Sequence, residues 1–216
     1  MPAQERVRSS RVTMIGVTPW TATRIATALH QSVLAPLGFD RHGSTCRRVD
    51  GHLTRTVAFY GLPAARPSLQ LWVAVALRGL PDAVAPQRRD TLWGAPRLPG
   101  GDNTYPRPPR VDPLPEDLVA DLSGPAVEFL LHATDLSTFM RWAEEIYRGD
   151  GQPGYWRRFQ PVLPRGTGPL QAAAFAAALL GDRDTVTRLA GQVAAEEPSV
   201  DERIRFRAEL AHLAPR

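Results

Sequence analysis

The 216-residue chain contains no lysine, and all 26 of its basic residues are arginine. This absence excludes a lysine Schiff base, the lysine of a phosphate-binding loop and any catalytic side-chain amine. A GC-rich genome accounts for it, because arginine codons are GC-rich and lysine codons are AT-rich. The net charge is only +4, whereas nucleic-acid binding usually shows a stronger, clustered excess. The charge therefore argues against nucleic acid as a partner.

Cysteine is scarce as well, and the single example, Cys46, excludes an internal disulfide. No stretch approaches the roughly 18 consecutive apolar residues of a membrane helix, so no membrane partner is predicted. Residues 1–13 carry three arginines but no apolar signal-peptide core follows them, and we interpret them as a loose basic arm. These features predict a cytoplasmic protein and leave its oligomeric state open.

Motifs for common chemistry are also missing. None of the five histidines has a metal-ligating partner at helical spacing, so no metal site is predicted. The Gly-x-Ser-x-Gly elbow of hydrolases, the dinucleotide fingerprint and the Walker A loop do not occur. The sequence therefore designates no catalytic residue and predicts no cofactor.

The first element present is a helix. Thr18 is a suitable cap, Pro19 occupies the favoured first helical position, and Gly38 follows the end. One apolar stripe recurs at helical spacing, made by Ala22, Ile25, Ala26, Leu29 and Val33.

A β-hairpin follows, with strands at Ser44–Val49 and His52–Tyr60. The dipeptide Asp50-Gly51 between them is typical of a type I′ turn. Pairing Val49 with His52 places Cys46 opposite Arg55, which makes Cys46 a minor candidate for an activated thiolate. One face of the hairpin then carries Cys46, Arg48, Leu53, Arg55, Val57 and Phe59, and the other carries Arg47, Val49, His52, Thr54, Thr56, Ala58 and Tyr60.

A third strand is predicted at Ser68–Leu77, with large aliphatic residues at odd positions and Trp72 among the even ones. Together with the hairpin it predicts a small antiparallel sheet that the first helix covers. The fold class is therefore α+β.

Residues 78–115 form an anomalous segment with nine prolines and several arginines. A loop of this length is uncommon inside a compact domain and is either functional or disordered. A short edge strand around Thr91–Trp93 is possible within it.

The remainder of the chain favours helices. Residues 126–133 fit either a helix or a strand, because Val127, Phe129 and Leu131 alternate. We expect one α+β domain over residues 14–150 and an all-helical C-terminal extension over 151–216 that packs on it. The predicted helices lie at 112–122, Asp135–Tyr147, Pro169–Leu180, Asp184–Ala195 and Val200–Leu213.

One segment carries a family resemblance. The run Leu34-Ala-Pro-Leu-Gly-Phe39, followed by a basic hairpin and an apolar strand, resembles the bacterial domain-of-unknown-function family 4304 over about residues 20–148. The resemblance implies an α+β domain with a small antiparallel sheet. Because that family has no known function, the resemblance implies no catalytic residue.

The most suggestive cluster is cationic. Arg48 and Arg55 share one face of the predicted hairpin, and arginine forks suit carboxylates and phosphates. With nearby aromatic and basic side chains they could form an anion pocket, although both could instead reach solvent or pair with acids of the helices. The candidate binding residues are Arg48, Arg55, Trp72, Trp93, Tyr105 and Arg107.

A second cluster, residues 155–159, mixes aromatic rings with arginine. It could grip an acidic partner or a base. The more ordinary interpretation is that its aromatic residues dock the helical tail onto the α+β core.

These observations favour a non-catalytic binding or accessory protein that recognises an anionic small molecule or an acidic protein surface. The alternative is a small-molecule enzyme of specialised metabolism that uses residues 78–115 as a lid. Such an enzyme would need an acid or base, for which His52 and His42 are the available candidates.

Overall fold

The computed structural model of the protein describes residues 21–62, 68–80, 90–96, 98, 104–106, 113–149, 154–162 and 166–213. The basic arm at 1–13, the helix start at Thr18 and Pro19, and Arg107 lie outside the described residues. Among the described residues no helix is long and apolar enough to cross a membrane.

The described strands form one antiparallel sheet, so the predicted α+β class is confirmed and the sheet is larger than expected. Its order is β1-β2-β3-β4-β5-β7, with β6 paired to β4. The strands are β1 Asp40–His42, β2 Thr45–Asp50, β3 Leu53–Leu62, β4 Ser68–Leu77, β5 Thr91–Pro96, β6 Thr104–Pro106 and β7 Phe159–Val162.

The turn between β2 and β3 lies one residue later than predicted, which shifts the strand register by two residues. Asp50 pairs with Leu53, so the turn residues are Gly51 and His52 rather than Asp50 and Gly51. Gly51 supplies the positive φ of 54° that this turn requires. The predicted pairing of Val49 with His52 is therefore wrong. Because side chains alternate between the two faces with period two, a register shift of two residues keeps each side chain on its predicted face.

The first helix, α1, is regular over Ala22–Leu29, and Thr21 caps it by accepting a hydrogen bond from Arg24 N. The chain continues through a π-helical turn and a 3-10 turn to Gly38, whose φ of 78° ends the helical path. Pro36 interrupts the α-helical pattern near this end because it has no backbone N–H. The apolar stripe is buried as predicted, at Ile25, Ala26 and Leu29.

Two strands lie within the segment 78–115 that we predicted as a loop. The predicted edge strand at 91–93 exists but is not at an edge, since β5 lies between β4 and β7. Gly94 makes this packing possible, because a Cβ there would stand 2.8 Å from Phe159 and 2.9 Å from Phe129. The glycine therefore lets two aromatic rings lie directly on the strand.

Helices α2 Glu116–Asp121, α3 Val127–Leu131 and α4 Leu136–Arg148 follow. A π-helical turn that contains Pro125 joins α2 to α3. The ambiguous segment 126–133 is helical as far as Leu131, and burial of Ala126, Phe129 and Leu130 at helical spacing explains the choice. Asp135 caps α4 by a capping box with Thr138.

The C-terminal part is mainly helical, with α5 Gly168–Leu180, α6 Arg183–Glu196 and α7 Val200–Leu213. Its first described segment, however, forms β7 and pairs with β5, so residues 151–216 are not all helical. Alanine-rich α5 is buried over most of its length, because its small side chains let neighbouring elements approach from several sides.

The two faces of the sheet differ. The face of Cys46, Val57 and Val73, here called the covered face, contributes to the buried cluster that joins the sheet to the helices. The face of Arg47, Thr56 and Trp72, here called the open face, contributes none of its described side chains to that cluster. Functional groups on the open face are therefore candidates for binding.

Candidate functional site

Two tryptophans meet on the open face. Trp72 of β4 and Trp93 of β5 have ring centroids 6.4 Å apart and an interplanar angle of 81°. Such an edge-to-face pair is a favourable aromatic geometry. Both side chains are half-buried. The two indoles therefore form a right-angled aromatic corner that remains partly accessible.

A neighbouring amide fixes one side of this corner. Trp72 Nε1 donates a hydrogen bond of 3.2 Å to Gln70 Oε1, two residues earlier on the same strand. Under the indoles lie small residues, since the cross-strand partners of Trp72 and Trp93 are Ala58 and Ala74. Both alanines are buried, as expected for small side chains directly opposite large rings.

One row of side chains crosses the open face from the corner to the outer strands. It runs Trp93, Ala74, Thr56, Arg47, with each residue paired to the next across neighbouring strands. Strands lie about 4.8 Å apart, so roughly 14 Å separates the backbones of Trp93 and Arg47. Arg47 is exposed, and Asp40 of β1 lies directly opposite it. This row, with Trp72 beside it, is the candidate site.

The side chains between Arg47 and the corner are small and polar. Thr45 and Thr56 are partly exposed there, and each offers a hydroxyl that can donate and accept hydrogen bonds. The arrangement therefore combines a stacking surface, hydroxyl groups and one exposed cation within a span of small-molecule size.

The structure places Arg55 on the covered face, where its guanidinium binds the protein itself. Arg55 is 2 % exposed. Its Nε donates to Leu130 O at 2.7 Å, its Nη2 donates to Ala133 O at 2.6 Å, and its Nη1 donates to Asp50. Burial lowers the pKa of Arg55, and the charge of Asp50 opposes that shift. Arg55 thus caps carbonyls at the end of α3.

Arg48 lies directly opposite Arg55 and shares its carboxylate. Arg48 Nε is 2.8 Å from Asp50 Oδ2, and Arg48 Nη1 donates to Leu37 O at 2.9 Å. The two arginines are therefore adjacent, as predicted, but their donors are engaged by Asp50 and by backbone carbonyls. Both arginines therefore serve the fold, although their shared acid belongs to β2 and not to a helix as the alternative expected.

Tyr105 lies in a separate cluster, away from both Arg55 and the tryptophans. Its hydroxyl donates to Asp121 Oδ2 at 2.6 Å, and Arg158 binds the same carboxylate through Nε at 2.6 Å and Nη2 at 2.8 Å. Burial and the bond to Asp121 raise the pKa of Tyr105 far above its usual range. The cluster ties β6, α2 and the segment before β7 together through Arg158. The predicted docking by aromatic rings is supported instead by Phe159, which is buried against Phe129.

The six predicted binding residues are therefore not one site. Arg55 and Tyr105 lie opposite Val75 and Leu69 of β4, six residues or about 20 Å apart along the strand. Trp72 and Trp93 meet on the opposite face, and Arg107 lies outside the described residues. Arg47, which is not among the six, shares the open face and one cross-strand row with Trp93. The alternation pattern contained a signal for this position, because it places Arg47 on the same face as Thr56.

Other chemically active groups occupy structural positions. Cys46 lies opposite Val57 rather than Arg55, and burial raises the pKa of its thiol to about 11, against a smaller opposing effect of Arg41. The hypothesis of an activated thiolate is therefore wrong. His42 and His52 are exposed. Across the described ranges, no group of three or more histidine, cysteine or acidic residues could hold a metal ion.

A cavity of about 250 Å³ lies between the ends of the last three helices. Its lining is mostly aliphatic, with Arg183 at the N-terminal end of α6. The lining residues are Ala178, Gly181, Arg183, Val186, Thr187, Leu210 and Leu213.

Comparison with known proteins adds no relative, because no family model, no curated protein and no solved structure matches the chain. The resemblance to family 4304 stays a prediction. Function must therefore be argued from the site itself.

Proposed function

We propose that this protein is a non-catalytic binding protein and that its open sheet face holds an anionic small molecule. The observation that carries the proposal is the corner formed by Trp72 and Trp93, two large rings left partly accessible on a face whose described side chains lie outside the buried cluster that joins the sheet to the helices. Large aromatic side chains beside a few polar groups are typical of ligand sites.

The charge for the ligand comes from Arg47 in this proposal. Arg48 and Arg55 each bind Asp50 and backbone oxygens, whereas Arg47 is exposed on the face of the tryptophans. An arginine fork recognises carboxylates and phosphates well. The anion would therefore contact the opposite side of the hairpin from the one that we predicted.

The proportions of the site favour a small molecule over an acidic protein surface. The row from Trp93 to Arg47 spans roughly 14 Å, and a standard protein interface needs about 800 Å² on each partner. A corner of two rings also suits an inserted group better than a flat surface. We therefore place the small molecule first.

The test is a thermal-shift screen of phosphorylated and carboxylated metabolites against the wild type and two site variants, Trp72→Ala and Arg47→Gln. A ligand at 100 times its Kd stabilises the folded state by about 2.7 kcal/mol. For a domain of this size that raises Tm by roughly 5–10 °C. Both variants should lose most of this shift.

The matched control is Arg207→Gln, which removes an exposed arginine from α7 and should keep the full shift. A ligand whose shift persists in both site variants would place the binding site elsewhere. A screen with no hit among anions would contradict the proposal.

A further inference from the structure

We infer that the ligand of the open face is a mononucleotide, with its base in the tryptophan corner and its phosphate at Arg47. The inference rests on the proposed function and specifies its ligand class. It depends on three features of the described residues: the angle between the rings, the spacing along the row, and the balance of charge at its outer end.

The first feature is the corner. The 81° angle between Trp72 and Trp93 leaves the face of one indole beside the edge of the other. A flat heterocycle can stack on the one face while its rim meets the other ring, as aromatic pairs prefer. Because Gln70 holds the Trp72 N–H, the stacking surface is fixed before the ligand arrives. The corner therefore selects one flat ring.

The second feature is the distance from the corner to the cation. Trp93 and Arg47 are three strands apart, or roughly 14 Å between backbones. The long Arg47 side chain can extend over Thr56 and Ala74 toward the corner and cover part of this distance. What remains suits a sugar ring, the group that separates a base from its phosphate in a nucleotide. Thr45 and Thr56 offer hydroxyls beside that position.

The third feature is charge. Asp40 lies opposite Arg47 on the outer strand, and both side chains are exposed. A carboxylate next to the cation limits the positive potential available to a ligand. A single phosphate can bind the guanidinium group of Arg47. The larger negative charge of a polyphosphate would also lie close to the carboxylate of Asp40, which repels it. This favours a monophosphate.

The same observations distinguish a mononucleotide from single-stranded nucleic acid. Proteins that bind single strands provide successive aromatic platforms along a positively charged groove. The described part of the open face provides this corner, the separate exposed ring of Tyr60 beside Gln70, and Arg47 with Asp40 directly opposite it, so its described residues form no positively charged groove. We therefore expect one base to bind, not a run of bases.

The experiment is isothermal titration of the full-length protein with AMP, GMP, CMP and UMP, and with adenosine, inorganic phosphate and an eight-nucleotide DNA strand. At least one monophosphate should bind with 1:1 stoichiometry. Trp72→Ala should weaken it at least tenfold, and Trp72→Phe should restore part of the loss because it keeps a stacking ring. Arg47→Gln should weaken the nucleotide at least tenfold and leave the matching nucleoside almost unchanged.

Controls separate the failure of this inference from the failure of the proposed function. Circular dichroism must show every variant folded, and Arg207→Gln should bind like the wild type. If no monophosphate binds, but another anion binds in a way that depends on Trp72 and Arg47, the nucleotide class is wrong and the binding face stands. If the DNA strand binds more than tenfold tighter than every monophosphate, the inference of a single bound base is overturned. If binding ignores both residues, both proposals fail.

Discussion

The two faces of one β-hairpin use arginine in opposite ways. Arg47 and Arg48 are neighbours on β2, yet Arg47 is exposed on the open face while Arg48 shares Asp50 with buried Arg55 on the covered face. The period-two alternation of a strand is enough to separate them. An arginine under helices must satisfy the carbonyls around it, whereas an arginine that is exposed, as Arg47 is, remains available for a ligand.

The largest effect on stability is expected when Arg55 is removed from the covered face. In Arg55→Ala the carbonyls of Leu130 and Ala133 lose their donor, and Asp50 loses its buried partner. We expect a loss of about 3–5 kcal/mol in the free energy of unfolding, measured by urea denaturation. A loss below 1 kcal/mol would show that Arg55 does not hold the end of α3 in place.

The pH dependence of stability tests whether Cys46 is buried on the covered face. Its folded pKa of about 11 lies above the ordinary value of 9.0, so its contribution to stability is present below about pH 9 and is lost as pH rises toward 11. Two pH units correspond to roughly 2–3 kcal/mol. Lysine is absent but the chain has four tyrosines, and Tyr105 with its raised pKa adds a pH dependence that the wild type and Cys46→Ala share. Urea unfolding at pH 8 and pH 11 should show a smaller difference for Cys46→Ala than for the wild type. Equal differences would mean that the thiol is not desolvated.

The contact of β5 with the aromatic core is tested by Gly94→Ala. The added Cβ would lie 2.8 Å from Phe159 and 2.9 Å from Phe129. We expect overpacking to cost about 1–3 kcal/mol in unfolding free energy. Gly191→Ala in α6 is the matched control, because its Cβ would meet open space. The control should be neutral or stabilising by up to about 1 kcal/mol, since alanine is the better helix former.

The smallest effect is expected on the open face, and it completes the comparison between the two faces of the hairpin. Arg47→Ala should change the unfolding free energy by no more than about 0.5 kcal/mol, as is usual for an exposed position. Measured in the same urea series as Arg55→Ala, it gives the contrast between the two faces directly. A cost above 1 kcal/mol would assign Arg47 a structural role and weaken its candidacy for ligand binding.

Elements with strong local signals were predictable from the sequence. The strand Ser68–Leu77 has its predicted bounds, and Gly181 ends α5 with a φ of 74°. The hairpin turn lies one residue later than predicted, because the Asp50-Gly51 dipeptide favours a local turn whereas the observed register brings Arg48 opposite Arg55 with Asp50 in reach of both. A tertiary ion pair thus accompanies a register that the dipeptide rule does not give.

The remaining strands have weak signals for physical reasons. Pro96 and Pro106 end β5 and β6, and Pro161 lies in β7 at the edge of the sheet, where a missing N–H is tolerated. Proline content therefore made these segments resemble loops. The alternation of side chains along each strand predicted the faces of Arg47 and Trp72. The position of Trp93 on that same face depends on the pairing of β5 with β4. That pairing is a long-range contact that composition cannot reveal.

The position of β7 has a consequence for the order of events during synthesis. β7 pairs with β5, which precedes it by more than sixty residues, and its Phe159 fills the space above Gly94. Until residues 159–162 leave the ribosome, β5 has an unpaired backbone edge and Phe129 lacks one of its aromatic neighbours. The sheet is therefore completed late, and a nascent chain that stalls near residue 150 exposes a strand edge to aggregation or to chaperones.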